Sequence, residues 1–180
     1  MADDESDRTD EEPKILNVRP ITSAEYINML SQHAEAGNAL VAAGLVEDGL
    51  EKLLLHAVIP LSNTSAAKIF DGLGPLSQFS AKIEVAYIFR LVDEATYKDL
   101  LAIKEIRNRF AHTSRFVNFK SEEIKAACQR LSGWHKDADN QKLYWEKTKE
   151  CVDRMNEKIN TLLYANTLKN EPGRSREKKK

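Results

Sequence analysis

Two cysteines, five prolines and seven glycines are all that this 180-residue chain holds of the residues that staple, kink or loosen a backbone. Cys128 and Cys151 stand singly, without CxxC spacing, which excludes a paired-thiol redox motif and a zinc knuckle. Two cysteines are also too few for a disulfide-built scaffold, so both read as buried free thiols in a reducing compartment. No apolar run approaches the roughly 20 residues that a bilayer-spanning helix needs. Net charge is nearly absent: 27 Lys and Arg stand against 28 Asp and Glu. The chain as a whole therefore has no field that would draw it to nucleic acid or to a membrane surface. Period-2 alternation and internal repeats are missing, which argues against strands and solenoids.

What is present fits one domain with a real core. Hydrophobic residues make up 42% of the chain, and its length suffices to bury them. The ends differ from the middle. Asp3 to Glu12 is strongly acidic, whereas Lys169 to Lys180 is mostly basic and is broken by Pro172 and Gly173. Neither end has apolar anchors. They are expected to be disordered tails, an acidic one over 1–14 and a basic one over 169–180, flanking a helical domain over 15–168. The basic end reads first as a solvated tail and second as a weak phosphate-binding arm. The acidic start does not fit a signal peptide, and a cytoplasmic protein is the simplest expectation.

Apolar spacing of three and four residues recurs along the middle, and it predicts helices. Thr22 and Glu25 form a capping-box pattern ahead of Tyr26, Ile27, Met29 and Leu30. A second helix is expected from Asn38, carrying Leu40, Val41, Leu45, Leu50, Leu53, Leu54 and Val58 to a stop at Pro60. Gly44 and Gly49 weaken it and leave room for a neighbouring helix. Asn63 or Thr64 caps a short helix through Phe70, followed by the turn Asp71-Gly72-Leu73-Gly74-Pro75. The two glycines have neither a preceding strand nor the lysine of a phosphate loop, so the turn reading stands.

From Ser77 a helix presents apolar residues on two sides, Phe79, Ile83, Ala86 and Tyr87 on one and Val85, Ile88, Leu91 and Val92 on another. It is expected to be enclosed. Asp93 caps the next helix, Ser121 caps one through Leu131, and Gly133 ends it. A long last helix carries Tyr144, Thr148, Cys151, Val152, Met155, Ile159, Leu162 and Leu163. The expected fold is all-α, a single-domain bundle of six or seven helices with a long C-terminal helix. Spare apolar faces suit a homodimer.

The most informative stretch is Ile106-Arg107-Asn108-Arg109-Phe110-Ala111-His112. On a helix Leu100, Ile103, Ile106 and Phe110 form one stripe, and Arg107 falls within it. A cation there calls for a carboxylate or carbonyl partner, with Asp99, Glu84 and Asp71 as candidates. Asn108 and His112, four residues apart, share the opposite side and diverge from Arg107. The structural reading makes Arg107 a buried tie, Asn108 an inter-helix bond and His112 a helix-end group facing the last carbonyls. The site reading makes them phosphate-gripping and proton-transferring groups.

His33, His56 and His135 show no ligand spacing, and neither HExxH nor a nucleophile elbow occurs, so no metal and no cofactor are expected. Nor is there a helix-turn-helix, zinc finger or basic recognition helix. Arg109, Arg115, Lys120 and Lys125 are candidates for a basic binding surface, against the plainer reading of a scattered solvated face.

Two resemblances give these residues a context. Ile69-Phe70-Asp71-Gly72-Leu73-Gly74-Pro75-Leu76-Ser77, then Phe79-Ser80-Ala81-Lys82-Ile83-Glu84-Val85-Ala86-Tyr87, then Asp99-Leu100 and Ile103 to His112 resemble the mannitol operon repressor family in order and spacing. The likeness spans roughly residues 38 to 131. It implies a helical bacterial regulator of sugar-alcohol uptake genes that lacks an obvious DNA-reading module. The missing motif in this sequence then leaves repression to a protein partner or to an unusual basic surface of Arg109, Arg115, Lys120 and Lys125 that contacts nucleic acid, with no membrane association expected. Arg107, Asn108 and His112 are also similar to the Arg-polar-three-His motif of HEPN ribonucleases. That second resemblance implies metal-independent RNA cleavage across a dimer, with His112 as acid or base, Arg107 on the phosphate and Asn108 orienting the scissile group.

Overall fold

The computed structural model describes residues 22–112 and 117–170, apart from the side chains of 25, 26, 28–30, 32, 169 and 170. The expected acidic tail over 1–14, residues 171–180 of the expected basic tail over 169–180, and Arg115 and Phe116 lie outside the described residues, whereas 169 and 170 continue the last helix. Six helices follow one another: α1 (Ser23–Ala57), α2 (Asn63–Phe70), α3 (Phe79–Ile88), α4 (Glu94–His112), α5 (Glu122–Cys128) and α6 (Asn140–Asn170). The described residues contain no strand, and the all-α bundle with a long last helix is as its apolar spacing predicts. No helix among them is long and apolar enough to cross a membrane.

The first two predicted helices are one. α1 runs unbroken for 35 residues, about 52 Å at the usual rise. Its inward positions Ala39, Ala43, Val46, Leu50 and Leu53 are sealed, so packing overrides the weak local propensity at Gly37 and Gly44. α6 lies along α1. Tyr144 Oη donates to the Ala39 carbonyl at 2.8 Å inside this seam, and a Cβ at Gly49 would stand 3.1 Å from Met155 Cε. Gly49 is therefore where the helices come close. Gly44, paired with it in the sequence reading, has nothing within 4 Å.

Local chemistry sets the short helices. Ser62, one residue ahead of the expected caps, accepts from Ser65 N at 3.2 Å and starts α2. Gly72 takes φ +56°, and a Cβ at Gly74 would press on the Ile69 carbonyl at 2.4 Å, so the predicted turn between α2 and α3 needs its glycines. Asp93 caps α4 as expected, accepting from Thr96 N at 2.8 Å. Gly133 at φ +79° closes the turns after α5, which ends at Cys128 rather than Leu131.

α3 is not enclosed. Phe79, Ile83 and Ala86 face the core, but Ile88 is 71% exposed and Phe89 70%. The second apolar side borders an open groove of about 500 Å³ lined by Leu54, Val58, Ile69, Phe70, Val85 and Phe89, among others. The turn leaving α3 is unusual. Arg90 sits at φ 55°, the non-glycine residue with positive φ among those described. Leu91 N bonds back to the Ala86 carbonyl and Arg90 N to that of Tyr87, both at 2.9 Å, the helix-ending pattern in which glycine is the usual occupant of the left-handed position. An arginine there costs about 1 kcal/mol in backbone strain.

Candidate functional site

α4 positions the motif by burying one face. Leu100, Ala102, Ile103, Ile106 and Phe110 are in the core, and Phe110 meets Phe119 edge-on with ring centroids 5.1 Å apart. Helical geometry then puts Lys104, Glu105, Asn108, Arg109 and His112 along the opposite side. There they line an open groove of about 630 Å³, with Leu101 from the same helix and Glu123 and Arg130 from the α5 region. Glu105 is its hub. Arg109 donates to it through Nη2 at 2.7 Å and Nε at 3.2 Å, and Arg130 binds its other oxygen. Three cations and two carboxylates thus share the groove with Asn108 and an exposed His112.

Arg107 does not line this groove. It is half-buried, and its Nη1 donates to Asn108 Oδ1 at 3.0 Å. The expected acid partner is not there. Asp99 is 4% exposed and accepts from Ser132 N and Oγ, each at 2.7 Å. Glu84 receives the Tyr97 hydroxyl at 3.0 Å, and Asp71 is exposed beside its turn. On the helix Arg107 stands about 40° round from Ile103, inside the stripe and closer to its middle than the sealed Leu100; it is half-buried in the last two turns of α4, and Asp99 and Glu84 are committed to Ser132 and Tyr97. The motif's three polar groups therefore meet indirectly. Asn108 and His112 share a groove, and Arg107 reaches it only through the Asn108 amide.

The expected basic surface is divided. Arg109 is neutralised by Glu105, Lys125 stands 3.8 Å from Glu122, and Lys120 is exposed outside the groove. Arg115, the fourth, lies outside the described residues. No group of three or more His, Cys, Asp or Glu side chains among the described residues has the arrangement to hold a metal ion. Both cysteines are buried as expected, and desolvation pushes each thiol up to about 12.

Compared with known protein families, curated proteins and solved structures, the chain matches none.

Two polar arrangements escape the linear reading. Lys82 is 5% exposed and ties α3 to α1, with Nζ 2.8 Å from Glu51 and 3.2 Å from Glu47. Its signal was available, since Phe79, Lys82, Ile83 and Ala86 keep helical stripe spacing with a lysine in the apolar row. The Asp99–Ser132 pair joins residues 33 apart, and no local pattern announces it.

Proposed function

We propose that this protein is a non-enzymatic, cytoplasmic transcriptional regulator, similar in role to the mannitol operon repressor family, that works as a homodimer and through contact with a protein partner. The observation that carries this reading is the apolar groove between the end of α1, α2 and α3. Val58 and Phe89 on its rim are 49% and 70% exposed, and Ile59 and Ile88 beside them are 77% and 71% exposed. Open apolar surface of this kind is costly in water and suits an amphipathic helix of a partner laid into the groove. The cations named as a nucleic-acid surface support the same reading, because Arg109 and Lys125 already have carboxylates beside them. Mannitol operon transcripts, measured with and without mannitol in cells lacking the gene, are expected to rise; unchanged transcripts under both conditions would contradict the regulator reading.

A second reading has one observation in its favour. Arg107, Asn108 and His112 form a chain of polar groups, two of which open on the charged groove of α4. In that reading the fold is a HEPN-like ribonuclease, or a descendant that has lost activity. Purified protein incubated with RNA in chelator would then cut the RNA, and His112→Ala would not. Intact RNA with the wild-type protein removes the active form of this reading.

A further inference from the structure

Where α3 ends, α4 begins and α6 passes, an open cavity of about 820 Å³ is lined by Tyr87, Arg90, Asp93, Arg154, Glu157 and Lys158, among others. Its three cations differ in their commitments. Arg154 Nη1 donates to Thr96 Oγ1 at 2.9 Å and lies 3.5 Å from Asp93. Glu94, at the same cavity, is paired with Lys98 at 2.7 Å. Arg90 and the half-buried Lys158 are left with no carboxylate partner among the described residues.

Arg90 is also the strained residue. The turn after α3 is made by backbone hydrogen bonds alone, from Arg90 N and Leu91 N to the carbonyls of Tyr87 and Ala86. Glycine would make the same bonds without crowding a Cβ at φ 55°. The fold gains nothing visible from a guanidinium at this place, yet Arg90 lines the cavity, exposed and in no ion pair among the described residues. Strain held at a residue whose side chain serves no internal contact is the mark of a position kept for something outside the chain.

We propose that this cavity binds a small phosphomonoester, with the guanidinium of Arg90 and the ammonium of Lys158 on the phosphate and Arg154 fixed beside them. A forked donor and a point charge, brought from a turn and from a separate helix, suit a dianion that accepts from both. The volume is that of a metabolite site. Asp93 and Glu94 are already beside Arg154 and Lys98, which leaves the two cations without acids as an isolated pair rather than a run of positive charge, and this favours a small ligand over a nucleic-acid backbone. The cavity borders the apolar groove at Leu91 and shares no lining residue with the charged groove of α4; its test reads phosphate binding to the purified chain and so does not depend on either reading of function.

Thermal unfolding and titration calorimetry of the full chain with inorganic phosphate and methyl phosphate, against acetate at matched ionic strength, test the proposal. The expected result is a saturable rise in Tm with both phosphates and none with acetate. Arg90→Gly should weaken phosphate binding about tenfold to a hundredfold, the loss of one charge-assisted contact. The same substitution should leave the ligand-free Tm unchanged or raise it by about 2–4 °C as backbone strain is relieved. Lys158→Gln should weaken binding similarly. No saturable shift with the wild-type protein would overturn the proposal, as would binding that survives both substitutions. An Arg90→Gly variant with a lowered ligand-free Tm would assign Arg90 to the fold instead. A single-stranded RNA oligomer that displaces methyl phosphate as well as inorganic phosphate does would overturn the small-ligand assignment.

Discussion

At the scale of single residues, the fold places its costs at groups that differ from those the motif advertises. Arg107 is half-buried and its described partner is the neighbouring Asn108, so Arg107→Ala is expected to change unfolding free energy by no more than about 0.5 kcal/mol. Asp99 is the opposite case. Its carboxylate holds both the backbone N–H and the hydroxyl of Ser132 across the α4–α5 region. Asp99→Ala should therefore cost about 1–3 kcal/mol, the range for removing an acceptor from buried or partly buried donors. Urea unfolding of the two variants checks both values, and a larger loss for Arg107→Ala than for Asp99→Ala would reverse the assignment. The polar character of the Asn108 and His112 side of α4 is legible in the sequence, because four-residue spacing fixes a shared face. The fate of Arg107 is not, because its place in the apolar stripe calls for an acid, and which acids are left for it depends on partners far along the chain, Ser132 for Asp99 and Tyr97 for Glu84.

At the scale of helices, α4 and α6 are legible because their buried positions keep three-and-four spacing over many turns. The continuity of α1 is not legible. Its outer face carries Val41 and Leu45 at 64% and 62% exposure along with Gly37 and Gly44, so the apolar stripe that should mark it is blurred, and burial against α6 and α4 makes the helix instead. The helix contacts also set a response to alkali. Burial pushes the thiols of Cys128 and Cys151 from an ordinary 9.0 up to about 12. The unfolded chain therefore loses these protons first, and stability present below pH 9.0 drains away as the pH climbs towards 12. Lys82 acts in the same direction. Burial alone would lower its pKa, but hydrogen bonds to Glu51 and Glu47 and their charges leave it raised above 10.5. Its tie to α1 holds below that value and is lost as the pH passes the folded-state pKa. Denaturant midpoints should fall progressively above pH 9, and a midpoint that stays level to pH 11 would contradict this packing. A thiol reagent at pH 8 should leave both cysteines unmodified in the native protein and modify both after unfolding.

At the scale of the whole molecule, three of the openings on the surface differ in chemistry. The groove on α4 is charged but largely neutralised within itself, the cavity between α3 and α6 retains two cations without acids, and the groove beside α2 and α3 is apolar. Val58 and Phe89 stand exposed on the rim of the apolar groove, and the proposed contact with a partner rests on them. The bundle itself is legible from sequence, whereas the grooves are not, because each is framed by helices far apart along the chain. The most direct test of the contact-based account replaces Val58 and Phe89 together by aspartate, with circular dichroism and thermal unfolding to establish that the bundle persists, and measures mannitol operon transcripts in cells carrying the variant. The account predicts a folded protein that no longer represses, matching the gene deletion. A folded double variant that represses as fully as the wild type would contradict it.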